Sequence, residues 1–415
     1  MGRRLQGFAQ AVLDRSVKVA LRILVLNTDY DEFLAWLYAQ EPGLEKAPYA
    51  EQFRARMKSL FGVADFYSSN LRRLGHEAWD VHANNEFMQK AWASENGIQV
   101  AKPAVVARRW QKAGHLARHA VARPPFSYAR RLARPFFHFV NGNGQPDWFY
   151  DILAAQIKQF RPDVLLNQDV ALSSEFLREM KPYMRLLVGQ HAATRLPDSK
   201  DWSCYDLAIS SFLPTVEFFR QKGVRSELNR LGFEPKVLAC LPSENRNLDF
   251  TFVGSFHRVH KSRTEFLETL CVRFPQLRIW GPESSSLSSS SAIRQCYAGQ
   301  AWGRQMYQVL LRSKIVLNHH GDIAPYANNL RLFEATGTGA LLLTDWKENL
   351  EEMFKPGEEV ATYRTTEECI ESMSYYLEHE EARASMAYAG QQRTLREHNY
   401  TRRMEEFVEI VRKYL

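Results

Sequence analysis

Three absences narrow what this chain can be. No apolar run in its 415 residues approaches the roughly 18 needed for a membrane-spanning helix. Cysteine is sparse: Cys204, Cys240, Cys271, Cys296 and Cys369 are odd in number, scattered, and form no CxxC pair. That pattern reads as reduced thiols in a cytoplasmic protein. Acid is missing from Asn96 to Pro146, a window that carries Lys102, Arg108, Arg109, Lys112, Arg118, Arg123, Arg130, Arg131 and Arg134. Trp110, Phe126, Tyr128, Phe136, Phe137 and Phe139 interleave with these cations. Such a segment suits an anionic partner, a lipid surface or a phosphate-bearing ligand; the plainer reading is a solvated basic excursion.

What is present is globular. Hydrophobic residues make up 45% and charged residues 24%, over a length that suits two domains. The opening MGRRLQGFAQAVLDRSVKVA mixes charge through any apolar stretch and reads poorly as a secretion signal. Gln6 stands where myristoylation needs Ser or Thr.

The apolar runs are short and alternate with helical patterns. Val19–Asn27 reads as a buried parallel strand. A helix stopped by Gly75 follows, then a strand at Glu77–Val81, which together make a βαβ unit. The same grammar predicts strands at Val164–Asn167, in MRLLVGQH, and at Tyr205–Ser211, the last followed by a helix capped at Gly223. Glu234–Asn247 loses the periodicity and reads as a linker. The pattern then restarts: a strand ending at Gly254, a helix, the strand LRIWG, a serine-rich loop at Ser284–Ser291, a helix and a strand ending at Asn318. NLRLFEATGTG reads as a glycine-stopped helix, ALLLTD as a strand, NLEEMF as a helix, and the rest as helical to the end. The expected fold is α/β: two doubly wound Rossmann-like halves facing a cleft, with ligands outside the carboxyl ends of the strands. The expected boundaries are 1–240, with a basic insertion at about 96–146, then 241–395, and a last helix at 396–415 expected to pack back on the first half.

Several residues carry candidate chemistry. Glu334 sits among Leu332, Phe333, Ala335 and Leu341–Leu343, so it is an acid in a packed setting that needs a partner. A carboxylate accepts from two neighbouring hydroxyls at once, which is what a ribose offers; the plainer reading is a surface helix acid. Asn318, His319, His320 and Asp322 follow a strand end, but adjacent strand residues point to opposite faces, so no metal is assigned there. Asp29-x-Asp31 imitates a metal-binding DxD, yet it falls directly after the first strand. Asp29 and Tyr30 are read instead as loop residues on the acceptor side. Gly142 and Gly144 lack a third glycine and a preceding strand, which argues against a dinucleotide fingerprint. The basic window has no zinc-finger or RNP-like spacing, so no nucleic-acid partner is expected.

The run Asn328–Asp345 and its continuation add specificity. Arg-x-Phe-Glu, small residues and Gly, an apolar strand ending Thr-Asp, then Leu-Glu-Glu-x-Phe, Pro-Gly-x-Glu and Arg-x-x-His-x-Tyr follow in order. This resembles the donor domain of GT-B glycosyltransferases, in the group 1, spore-maturation-protein-like (family-four-like) set. The resemblance covers Asn318–Arg403 and, more loosely, Phe250–Lys314; the first half is similar only in layout. It implies that Glu334 binds the nucleotide ribose and that an Arg and a Lys after the strand ending at Gly254 meet the diphosphate, here Arg258 and Lys261 beside Gly254 and Ser255. Arg331, Asn329 and the backbone around Thr336 and Gly337 are further donor candidates. Asn318, His319 and Tyr326 are assigned to donor sugar or base. Tyr326 is a departure, because the wider superfamily often has a glutamate eight positions before the ribose acid. In inverting relatives a first-domain histidine is the base, which points to His191 past a strand end; a structural histidine is the alternative.

The expectation is a metal-independent glycosyltransferase moving a sugar from a nucleoside-diphosphate sugar, its only co-substrate, to a glycan, lipid-linked or other hydroxyl acceptor. A role in polysaccharide biosynthesis is expected, in the cytoplasm as the cysteines suggest, with peripheral contact to the inner membrane face through 96–146 as a further expectation. A non-catalytic GT-B binding protein and a sugar-nucleotide epimerase are the alternatives.

Overall fold

The computed structural model describes residues 19–100, 146–169, 171–191, 201–242, 244–255, 261–281, 287–320 and 325–415. Nearly all of the basic window, Arg258, Asp322 and part of the serine-rich loop lie outside the described residues, as does the side chain of Lys261.

Apolar runs of four to six residues become strands buried on both faces, the signature of parallel sheets. The first sheet holds β1 (Arg22–Asn27), β2 (Glu77–His82), β3 (Val164–Asn167), β4 (Leu186–Gln190), β5 (Leu207–Ser210) and β6 (Ser226–Leu228). Along β1, Ile23 and Val25 enter one core and Leu24 and Leu26 the other. The second sheet holds β7 (Leu248–Val253), β8 (Arg278–Trp280), β9 (Tyr297–Gly299), β10 (Ser313–Asn318), β11 (Leu341–Asp345) and β12 (Ala361–Tyr363).

The strand orders position the sites. The first sheet runs β2-β1-β3-β4-β5-β6 and the second β12-β11-β10-β7-β8-β9, all neighbours parallel. The order reverses between β1 and β3 in the first sheet and between β7 and β10 in the second. At such a reversal the flanking connections leave to opposite faces, opening a crevice at the carboxyl ends.

The two halves share one core. Phe233, between the sheets in sequence, is buried and pairs with the C-terminal segment: its N–H donates to His398 O (2.8 Å) and its carbonyl accepts from Tyr400 N (3.0 Å). The last helix, Tyr400–Arg412, then crosses to the first half. Tyr400 packs against Phe66 and Tyr67 at 5.5 and 5.4 Å, and Thr401 donates to Asn70 Oδ1 at 2.6 Å. Tyr400, Met404, Phe407 and Val411 are sealed in that interface, each worth about 1.5–3 kcal/mol of burial.

The structure differs from the sequence reading in places. β1 starts at Arg22, because Val19 is exposed. Two helices, Asp31–Gln40 and Tyr49–Lys58, lie between β1 and β2 with no counterpart in the sequence reading. Leu350–Glu352 makes only one 3₁₀ turn, cut short before the turn at Pro356–Gly357. The helical C-terminus is three helices, Thr366–Glu378, Glu380–Glu397 and Tyr400–Arg412. The last starts afresh because Asn399 Oδ1 accepts from Arg402 N–H at 3.0 Å, an N-cap that a continuous helix would not need.

Candidate functional site

The crevice of the second sheet forms where β7 ends at Val253 and β10 at Asn318. The short helix Arg331–Gly337 starts over it. Arg331 reaches back across the reversal and donates from Nη2 to Val253 O at 3.2 Å, while its Nη1 lies 2.8 Å from Glu334 Oε2. Tyr307, on the helix Arg304–Arg312, points its hydroxyl at Glu334 Oε1 from 3.5 Å. Glu334 is only 6% exposed. Burial pushes its carboxyl upward, and Arg331 and Tyr307 oppose that shift.

Two donors on this stretch of chain lack acceptors. Arg331 Nε and Asn328 Nδ2 are buried and have no hydrogen-bond partner among the described residues. Buried donors left this way call for an acceptor, which an ordered water or a ligand can supply. Asn329 joins the same edge: its Nδ2 donates to Asn318 Oδ1 at 2.9 Å and its Oδ1 accepts from Leu332 N–H at 3.3 Å, while Asn318 Nδ2 donates to Thr344 Oγ1 at 3.0 Å. Gly254 and Ser255 lie at the mouth of β7, where Arg263 holds the Ser255 carbonyl at 3.0 Å. The structure thus brings Glu334, Arg331, Asn329, Asn318, Gly254 and Ser255 to one switch point. Arg258 falls outside the described residues, and Lys261 opens the helix Lys261–Arg273.

Other assignments are corrected. Thr336 and Gly337 do not face the crevice. The Thr336 hydroxyl donates to Leu332 O at 2.7 Å and meets Thr394 Oγ1 at 2.6 Å. Gly337 packs on Phe233, where an added Cβ would stand 2.4 Å from the ring. The close approach this glycine allows is to a side chain of its own chain. Asp29, placed on the acceptor side, is a buried and paired acid. Arg56 Nη2 and Nε meet it at 2.6 and 3.0 Å, and His82 Nδ1 at 3.0 Å. Burial opposes its ionisation, yet His82 and Arg56 hold the carboxyl below the usual range. Tyr30 is exposed, with its ring edge on Phe61.

His319 and His320 diverge, as adjacent strand-end residues should. His319 stacks on Phe266 at 4.7 Å and contacts Tyr363 Oη at 3.1 Å, whereas His320 Nδ1 meets Asp345 Oδ1 at 2.6 Å. His319 opens instead onto a cavity of about 700 Å³ lined by Phe266, Asp345, Trp346, Tyr363 and Arg364, beside the crevice and not lined by Glu334 or Arg331. His191 follows β4 at the carboxyl edge of the first sheet, half-buried, its N–H on Ile209 O at 3.2 Å. Tyr326 faces the first half, edge to face with Phe212. Sequence reasoning missed Tyr307, which no spacing ties to Glu334, and left Asn328 unassigned although it adjoins the quoted helix.

The comparisons with known proteins bear on the fold. Residues 258–409 match the family described as glycosyl transferase-like. No curated protein matches the chain by sequence. Among solved structures, a glycosyltransferase from Rickettsia africae ESF-5 superposes with a TM-score of 0.53 at 10% identity, covering 95% of this chain and 98% of that one. Anabaena Alr3699/HepE in complex with UDP-glucose superposes with a TM-score of 0.53 at 11% identity, covering 95% of this chain and all of that one. HepE with UDP and glucose gives 0.51 at 12% identity over the same 95% of this chain. At such identities the likeness is one of fold, and the GT-B resemblance read from Asn318–Arg403 is borne out.

Proposed function

From a GT-B fold whose second half matches the glycosyl transferase-like family, we propose that this protein transfers a sugar from a nucleoside-diphosphate sugar to a hydroxyl acceptor. The observation that carries this reading is the Arg331–Glu334 pair at the β7/β10 reversal, with Arg331 Nε and Asn328 Nδ2 left as buried donors. A diphosphate supplies acceptors to such donors, and a ribose diol supplies donors to Glu334. Ligand entry trades the Arg331 contact of Glu334 for ribose hydroxyls and leaves Arg331 to the phosphates.

The chemistry follows from charge. As the bond from the anomeric carbon to the diphosphate breaks, negative charge grows on the leaving oxygens. Arg331, with Lys261 at the start of the helix Lys261–Arg273 and Arg258 three residues before it in sequence, would stabilise it without calling on a metal ion. The HepE structures hold UDP and UDP-glucose, so a UDP-hexose is the first donor to try. The acceptor, a glycan or a lipid-linked sugar, belongs to the first half, and His191 stands at its carboxyl edge as the base candidate. No helix among the described residues is long and apolar enough to cross a membrane. A lipid-linked acceptor would be met from the side, through the basic segment 96–146.

One observation favours a second reading. Tyr326 places a ring, not an acid, where relatives often carry a sugar-contacting glutamate, and a protein that binds the donor without turnover would tolerate that change. Nucleotide binding by the wild type and by Glu334→Gln tests the donor site. Release of nucleoside diphosphate from UDP- and GDP-hexoses separates an enzyme from a binding protein.

A further inference from the structure

The first sheet has its own switch point, between β1 and β3, and a row of polar side chains lies across it. Asn27 and His82 are register partners at the ends of β1 and β2. Gln168 and Gln190 continue that row, each one step past the registered pairs Leu26–Asn167 and Asn167–Gly189. All four side chains lie on one face. Asn27 follows Val25, and His82 follows Ala78 and Asp80, onto the side of the sheet covered by the helix Phe66–Arg73. Neighbouring strands stand about 4.8 Å apart, so the row spans roughly 14 Å, long enough for more than one sugar ring.

Half of the row is satisfied and half is not. Gln168 donates to Gln190 at 2.6 Å, and Gln190 donates to Tyr67 Oη at 2.9 Å. Asn27 Nδ2 and His82 Nε2 are both buried without a hydrogen-bond partner among the described residues. Asn27 is 7% exposed and its register partner His82 is fully buried, while Gln168 and Gln190 are half-buried. The histidine's chemistry is set from its other side. Asp29, clamped by Arg56, takes the Nδ1 contact and so favours the tautomer with hydrogen on Nδ1. Nε2 is then a bare acceptor beside the bare donor of Asn27. One group that answers both is a hydroxyl, which gives its hydrogen to Nε2 and accepts from the amide.

We propose that Asn27 and His82 form a subsite for a carbohydrate hydroxyl, with Gln168 and Gln190 extending it along the β1/β3 switch point. This deepens the reading of the first half as the acceptor side, and it rests on that reading for its role in transfer. Asp29 and Arg56 act through His82 as positioning residues.

The test uses the full chain labelled with nitrogen-15 histidine, with the His82 signals identified by His82→Gln. The spectrum should show a neutral ring protonated at Nδ1. Methyl glycosides of glucose, galactose, mannose and N-acetylglucosamine, titrated singly into the tens of millimolar, should shift the Nε2 resonance for at least one sugar. Asn27→Ala should weaken that response about tenfold, the loss of one buried hydrogen bond. If no glycoside moves the signal, the groups hold a buried water only and the proposal falls. A response unchanged in Asn27→Ala also overturns it. A melting shift with UDP alongside a silent His82 removes the subsite and keeps the donor reading; a responsive His82 without any nucleotide effect does the reverse.

Discussion

Phe212 of the first half and Tyr326 of the second meet across the cleft, ring centroids 6.3 Å apart and planes at 83°. Phe212 stands two residues past β5, and Tyr326 precedes the helix that carries Glu334. The contact therefore ties the crevice of the second sheet to the carboxyl edge of the first. Edge-to-face pairs are worth about 0.5–1.5 kcal/mol beyond their buried area. A double-mutant cycle of Phe212→Leu and Tyr326→Leu on urea unfolding should show a coupling of that size. Strictly additive costs would mean the rings do not touch in solution.

Asp80 makes stability fall with rising pH. Burial pushes its carboxyl from 3.8 up to about 7, with the Ser68 hydroxyl opposing. The folded chain then holds a proton that the unfolded chain has released. The stabilisation is full below the unfolded value and is lost as pH rises through about 7. Between those two values each pH step of one removes about 1.4 kcal/mol. Asp80→Asn should flatten the dependence of the urea midpoint across this window and raise the midpoint above it. A mutant whose midpoints parallel the wild type throughout would show Asp80 already ionised in the fold.

Removing Arg56 should cost about 3–5 kcal/mol, because it strands the buried Asp29 carboxylate. Arg56→Ala measured by chemical denaturation decides this. A loss under about 1 kcal/mol would contradict the pairing.

Gly337→Ala separates packing from ligand contact. The new methyl group would press on the Phe233 ring, an overpacking expected to cost about 1–3 kcal/mol. Its melting temperature should drop while its affinity for nucleotide, measured by calorimetry well below that temperature, stays near wild type. A large loss of affinity in a stable mutant would return Gly337 to the ligand.

The sheets were legible because parallel strands are continuous apolar runs, and Val164–Asn167 appears with the ends its sequence suggests. The glycine stops at Gly75 and Gly223 were legible for a local reason: both have the positive φ that ends a helix, 86° and 76°. The site was legible as far as chemistry is local. Glu334 stood out as an acid among apolar neighbours. What it touches did not, because Tyr307 lies 27 residues away on another helix. Gly337 shows the same limit, since a glycine signals close approach without saying to what. Asp29 shows the converse: it reads as a residue of a polar loop, and its partners, Arg56 and His82, lie 27 and 53 residues distant. The row through Asn27 and Gln168 exists only once strand register is known.

The central claim is that Glu334 and Arg331 hold a nucleoside diphosphate, and thermal unfolding with UDP, GDP, TDP, CDP and ADP tests it most directly. Ligand at about 100 times its dissociation constant stabilises a folded protein by roughly 2.7 kcal/mol, a rise of a few degrees. The account predicts that rise for one nucleotide, UDP first, in the wild type and its loss in a folded Glu334→Gln. Equal shifts in both proteins, or none in a folded wild type with any of the five, would contradict it.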